Sequence, residues 1–266
     1  MKRVFFLLLL ALFILIAAKA EAIPKKTEPS IGEIDSKIAQ LLTIVNKGAE
    51  NPGDQGANAN QKLVKYLKSV LSNPKLITAS LPKAKEANLT KLASSDGNVC
   101  FYSWDSETGG SMHFFHDFVQ WKTPQGARWL DLNPPGKGDG DLATGYFYHD
   151  LHSVVTKDGK TVYMPTYRAI YSHPIHKDGI TAYTIEGNKL VETPFFKTKT
   201  KLLKTIDVPA TEVEWNENGL IKFKEQNKTL LIPITVKEGG ATGRFLTYRF
   251  DGKNFVFDES AHEKPE

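Results

Sequence analysis

Between Ser30 and Leu71 the apolar positions recur every three to four residues, the period of a helix with one buried face. Ile34, Ile38, Leu41, Leu42 and Val45 form one stripe behind Ser30 and Glu33, a capping box that satisfies the first free N–H groups. Gly48 predicts the end of that helix, and 50–56, with Pro52 and Gly53, a loop. Leu63, Tyr66, Leu67, Val70 and Leu71 make a second stripe over roughly 58–71, stopped by Asn73-Pro74 because proline disfavours helical backbone before it. A helical hairpin is predicted, and its stripes need a partner surface. Lys62, Lys65 and Lys68 fall toward its polar side as a solvated face.

From Leu76 onward the pattern changes to that of strands. Asp96-Gly97, Asp158-Gly159, Asp251-Gly252, Glu186-Gly187 and Asn218-Gly219 sit between runs rich in β-branched and aromatic residues, the signature of short hairpins. The runs gather near 89–132, 145–196 and 211–258, each a meander of about four strands. They share only their turns, so they do not form a sequence repeat. The predicted fold is mainly β, of the α+β class. Its antiparallel meanders form a sandwich or one large twisted sheet, preceded by the helical hairpin, which covers a face or an edge. Asn133–Gly145 is the predicted border of the first two meanders, and 259–266 a disordered tail.

The stretch Asn98–Lys122 is the densest concentration of large apolar side chains outside the N-terminus. Alternation places His113 with Phe115 and Val119, and His116 with Phe114 and Phe118, on opposite faces. A hairpin apolar on both sides predicts a central strand pair covered on both faces, with function confined to its turn, Asp105–Ser111.

The first residues change the setting. Lys2 and Arg3 precede an apolar run, Val4–Ala18, followed by the small-x-small patterns Ala18-Lys19-Ala20 and Ala20-Glu21-Ala22. This is the layout of a secretory signal peptide over 1–22, and the run is short for a spanning helix. An uncleaved anchor is the alternative. Export to the periplasm or the extracellular space is predicted, with 23–30 a flexible leader and no membrane contact after cleavage. Removing Lys2, Arg3, Lys19 and Glu21 from the 34 basic and 30 acidic residues leaves 31 and 29, a net charge of +2. So balanced a chain gives no reason to invoke nucleic acid. Cys100 is the single cysteine, so no internal disulfide forms and packing alone holds the fold.

Of the 7 histidines, six fall in His-x-x-His pairs: His113/His116, His149/His152 and His173/His176. Residues three apart on a strand point to opposite faces, and H-E-x-x-H is absent, so no metal is assigned and no cofactor is implied. Were a metal held, His173 and His176, which read as a turn, and His149 and His152 would hold it, with Asp117 or Asp150 completing the set. Cys100, between Val99 and Phe101, reads as a buried small hydrophobe. No G-x-S-x-G occurs. The loop 133–145 carries four glycines but neither a P-loop nor an EF-hand pattern; Asp139 and Asp141 leave it as a weak calcium site or a lid. Trp104, Trp121, Trp129 and Tyr146-Phe147-Tyr148 read first as core and second as a stacking surface for a sugar or peptide. The candidate ligand-binding set is therefore Trp104, Asp105, Glu107, Trp121, Asp139 and Asp141. Lys197, Lys199 and Lys201 alternate as on a charged edge strand. Asn88-Leu89-Thr90 and Asn227-Lys228-Thr229 are glycosylation sequons, relevant to a eukaryotic source.

The stretch SSDGNVCFYSWDSETGGSMHFF and the pattern LIKFKEQNKTLLIPITVKEGGATGRFLTYRFDGKNF resemble segments of uncharacterised exported bacterial proteins, in which a short apolar leader precedes a β-rich body. The resemblance implies a bacterial envelope or secreted setting and carries over no site residue. Three roles stand at this point. The first is non-catalytic binding of a small ligand or an envelope component. The second is an exported hydrolase, metal-assisted through His149, His152, His173 and His176. The third is a structural or assembly protein using its helices.

Overall fold

Helix α1 (Ile31–Glu50) buries Ile34, Ile38, Leu41, Leu42 and Val45, and helix α2 (Asp54–Val70) buries Ala59, Leu63, Leu67 and Val70 against it. This computed structural model describes residues 28–50, 54–133, 145–172, 175–211, 220–236 and 240–260. The signal segment, His173, Asp139, Asp141 and the last six residues lie outside that set. Of the two units into which the chain divides, Ile31–Glu266 contains every element described below.

Gly48 does not end α1, which runs through to Glu50. Its Cα faces Gly56 so closely that an added Cβ would stand 2.7 Å from the Gly56 Cα, so the glycine serves the crossing of the two helices. The change to strands also comes later than Leu76. Short helices α3 (Lys75–Thr78) and α4 (Pro82–Glu86) follow, burying Leu76, Ile77 and Ala84 in the helical layer. Buried Asp35 of α1 accepts the backbone N–H groups of Lys83 and Ala84 at 3.2 and 2.9 Å, which satisfies donors at the start of α4.

Sheet 1 is the predicted first meander: β1 (Thr90–Ala93), β2 (Val99–Asp105), β3 (Phe115–Thr123) and β4 (Gly126–Asp131), adjacent in chain order. Its two inner strands are covered on both faces, as the apolar residues on both sides require. Cys100, Tyr102, Trp104 and Phe118 pack on the helices; Val99, Phe101, Val119 and Trp121 pack on tyrosines of the next sheet. Burial pushes the Cys100 thiol up to about 11, in keeping with a packing role. Gln120, fully buried, ties sheet to helices: its amide donates to the carbonyls of Leu71 and Asn73 beyond α2, and its oxygen accepts the Tyr102 hydroxyl at 2.8 Å.

Sheet 2 begins with β5 (Phe147–Val155), β6 (Thr161–Ser172), β7 (Ile175–Thr181), β8 (Tyr183–Glu186) and β9 (Lys189–Glu192). The strands β10 (Phe196–Lys197), β11 (Leu202–Leu203) and β12 (Thr205–Thr211) then cross between sheets. β12 returns to pair with β7, while β10 and β11 join β13 (Lys222–Lys224), β14 (Thr229–Thr235), β15 (Ala241–Phe250) and β16 (Phe255–Asp258) in sheet 3. β10 pairs with β16 in parallel, so the second and third meanders are interlocked rather than separate. Within sheet 2, β6 has β5 on one side and β7 and β8 on the other. The predicted charged strand over Lys197–Lys201 is instead a turn between β10 and β11. The Thr198 hydroxyl accepts the Lys201 N–H there, and Lys199 pairs with Glu259.

The layers run helices, sheet 1, sheet 2, sheet 3. Sheet 2 is the middle sheet, with Tyr148, Tyr163 and Tyr167 toward sheet 1 and Val162, Met164, Ile180 and Val208 toward Phe196, Leu230, Ile232 and Phe255 of sheet 3. No helix among the described residues is long and apolar enough to cross a membrane.

One polar tie crosses the seam of sheets 1 and 2. Asp96, in the β1–β2 turn, accepts the Tyr163 hydroxyl at 2.7 Å as well as Ser94 and Asn98. Against the upward push of burial, these donors hold its carboxyl below the usual range. Because Asp96 is solvent-exposed, Tyr163→Phe is expected to cost about 1 kcal/mol in urea unfolding, with the Asp96 carboxyl titrating higher by NMR. An unchanged Asp96 titration removes this tie from the account.

Candidate functional site

Every edge strand presents unpaired backbone to its surroundings, and two such strands border one groove. Among the described residues β4 pairs only with β3, and β9 only with β8. Between them lies a groove of about 430 Å³, lined by Trp121, Arg128, Trp129 and Leu130 from sheet 1 and by Asn188, Lys189, Leu190 and Val191 from the β8–β9 hairpin. The Trp121 indole N–H donates to the Asn188 carbonyl at 3.2 Å and so fixes the hairpin against sheet 1. The register pairs Arg128 with Trp121 and Leu130 with Val119, so Arg128 and Leu130 share the face turned toward sheet 2. Leu130 is 50% exposed, and Arg128 and Lys189 are exposed cations.

The chemistry offered is contact rather than proton transfer. Leu130, Leu190 and the Trp121 indole supply apolar surface, Arg128 and Lys189 positive charge, and the two edge strands N–H and C=O groups, while the Trp129 ring packs on Phe118 toward the helices. No carboxylate, histidine or cysteine lines the groove. Its volume falls within the range of ligand clefts, about 300–1,000 Å³.

Asp105 and Glu107 lie elsewhere, at the β2–β3 turn. Asp105 Oδ1 accepts the Glu107 N–H at 2.8 Å, with Glu107 in the left-handed region at φ 54°, and Asp105 Oδ2 stands 2.5 Å from His113 Nδ1. His113 is thus in the turn and not in β3. Its backbone N–H donates to Ile170, and its ring lies 6.1 Å from Phe115, nearly parallel to it. Burial first, and the Asp105 charge second, raise the Glu107 carboxyl. The pair orients an imidazole as an acid–base couple would. Phe115 and Trp121 are six residues apart on β3, roughly 20 Å at ~3.4 Å per residue, so turn and groove are separate places.

Trp104 belongs to neither. It is 2% exposed, donates to Asn60 Oδ1 at 2.8 Å, and stacks on His116 at 5.0 Å within the helix–sheet seam. There His116 Nε2 stands 3.2 Å from Asp131, which also pairs with Lys68 at 2.7 Å.

His149, His152 and His176 turn toward sheet 3, each with its own surroundings. His149 Nδ1 meets the Thr166 hydroxyl at 3.1 Å, and burial, helped by the Arg168 charge and opposed by that of Asp178, brings its imidazole down to about 4. His152 lies on Phe223, its ring nitrogens 3.0 Å from Asp150 and 3.0 Å from Asn227. His176 is buried opposite Ile170 and Ala210. Among the described residues no three His, Cys, Asp or Glu side chains are placed to hold one metal ion. Asn227 also donates to the Ser153 carbonyl, so this sequon side chain is a structural tie, whereas Asn88 is exposed in a turn.

Among the described residues of the predicted ligand set, then, only Trp121 lines the groove, together with Trp129, read in the sequence as a further stacking residue. Arg128, Leu130, Lys189 and Leu190 are additions. Their role comes from the stacking of sheets 1 and 2, which brings two distant segments to one groove and leaves no local pattern in either. No protein-family model, no curated protein and no solved structure matches this chain.

Proposed function

We propose that this is an exported, non-catalytic binding protein whose ligand lies along the groove between β4 and β9. The single observation that carries the reading is the groove itself, lined by apolar and cationic residues of two edge strands from different sheets. Export is supported by the charged start, the apolar run and the small-x-small sites of residues 1–22, and the envelope setting by the resemblance noted above.

The test is a screen of envelope components and small ligands against the ¹⁵N-labelled protein, following the Trp121 and Trp129 indole signals. A ligand that shifts them is expected to bind at least tenfold more weakly to Arg128→Glu/Lys189→Glu, a loss of about 1.4 kcal/mol or more. Both side chains are exposed, so the urea midpoint should hold. Ligands that bind at the β2–β3 turn with the groove signals still, or that bind the double variant undiminished, count against this site.

A further inference from the structure

We infer that the occupant of the groove is an extended polypeptide segment carrying acidic side chains, added to sheet 1 as a further strand along β4. This rests on the binding role proposed above and names its ligand class.

The edge strands of the molecule differ in how they are guarded. β11 has two residues, and β13 three, two of them Lys222 and Lys224. β12 carries Pro209, which cannot donate to a ladder, and β5 shifts register between Tyr148 and Asp150. β1 and β9 have four residues each, with Lys91 and with Lys189. Short length, lysine, proline and bulges are the devices that stop a foreign strand from pairing. β4 is different. It has six residues in unbroken register from Gly126 to Asp131, no proline, and a half-exposed leucine. A regular edge of this length, roughly 20 Å, is one on which a strand can form main-chain hydrogen bonds.

The side chains then select the sequence. A strand added to β4 alternates its side chains between two faces. On the face toward sheet 2 they meet Arg128 and Leu130 from one side and Leu190 from the other, while Lys189, next to Leu190, lies on the opposite face of β9. Acidic groups complement Arg128, and apolar groups fill the space between the leucines. The β8–β9 hairpin, tied down by Trp121, borders the same edge, so a single chain fits where a second sheet would have to displace the hairpin. The occupant is therefore a peptide rather than a second copy of this chain.

The experiment titrates the full ¹⁵N-labelled chain with four probes. These are a capped hexapeptide alternating Val and Asp, its Val/Lys counterpart, the Val/Asp peptide N-methylated on alternate amides, and an oligouronate of similar length and charge. The Val/Asp peptide is expected to shift β4 amides and the Trp121 indole, and to slow hydrogen exchange along 126–131. The Val/Lys and N-methylated peptides should bind at least tenfold more weakly, and Arg128→Glu/Lys189→Glu should reverse the preference toward Val/Lys. Equal binding of the acidic and basic peptides overturns the charge selection, and unweakened binding after N-methylation overturns strand addition. Groove shifts with the oligouronate alone overturn the peptide while leaving the binding role intact. Protection of 126–131 that grows with protein concentration and without any probe assigns the edge to a second copy. Silence of the groove with every probe and every screened ligand removes both proposals.

Discussion

Asp178→Ala is expected to lower the free energy of unfolding by about 3–5 kcal/mol, measured by urea denaturation at neutral pH. Arg168 and Asp178 face each other across β6 and β7 and are 1% and 0% exposed, in the space between sheets 2 and 3. The guanidinium donates in a fork, Nε to Oδ1 at 2.6 Å and Nη2 to Oδ2 at 3.0 Å, and the Leu220 N–H donates to the same Oδ2 at 2.7 Å. Alanine removes both acceptors at once. The buried guanidinium keeps its charge but loses this counter-ion, and the Leu220 amide loses its acceptor. Desolvation has already been borne by the pair, so loss of one partner costs far more than the pair contributes. For the same reason Arg168→Met/Asp178→Leu should recover much of the loss, since both charges of the pair are removed, while the Leu220 amide is still deprived of its Asp178 acceptor. A loss below about 1 kcal/mol for Asp178→Ala would mean that water reaches the guanidinium.

This pair also marks where sequence reading stops. Arg168 sits in TVYMPTYRAIYS, where a charge amid β-branched and aromatic residues marks a buried position, but its partner follows only from the register of β6 on β7. Features with a local cause were legible: the α1 and α2 stripes, and the central place of β2 and β3, apolar on both faces. Features set by distant elements were not. Gly48 reads as a helix stop, yet its small size serves the contact with Gly56. Leu76, Ile77 and Leu81 are apolar enough for strands, and proline and a buried Asp35 turn them into helical pieces. The alternating lysines after Phe196 obey a strand period, but Thr198 closes a turn through them. His113 lies two residues before β3 begins, so alternation gave it a face it does not have. The groove is the strongest case. Its two walls are more than fifty residues apart in the chain, and neither carries a sign of the other.

Asp117→Asn is expected to remove a pH-dependent contribution that the wild-type fold carries between the ordinary carboxyl value of 3.8 and about 7. Asp117 is fully buried on β3. Burial raises its carboxyl to about 7; hydrogen bonding from Tyr146, Ser103 and Asn133 opposes this only in part, and the Asp131 charge adds to it. Around it, the Tyr146 N–H donates to Oδ2 at 2.8 Å, its own N–H donates to Asn133 Oδ1 at 2.7 Å, and its carbonyl accepts the Leu132 N–H. The sign follows from proton counting. Between 3.8 and about 7 the folded protein holds a proton on Asp117 that the unfolded chain has released, so stability falls as pH rises. The contribution is complete below the lower value and lost above the upper one, and a carboxyl moved that far corresponds to roughly 4 kcal/mol. Asp96 and Asp150, held below the usual range, work in the opposite sense at more acid pH, and His149, brought down to about 4, does so within the same window, so the wild-type curve alone is a sum. The difference between wild type and Asp117→Asn isolates the one group, since asparagine keeps an acceptor for Tyr146 and carries no titrating proton. Urea unfolding from pH 4 to pH 8 should show the variant gaining on the wild type as pH rises, with the gain levelling off above about pH 7. A difference that stays constant across the series would mean that the Asp117 carboxyl titrates alike in the folded and unfolded chains, and that water reaches the base of the Asn133 and Tyr146 contacts.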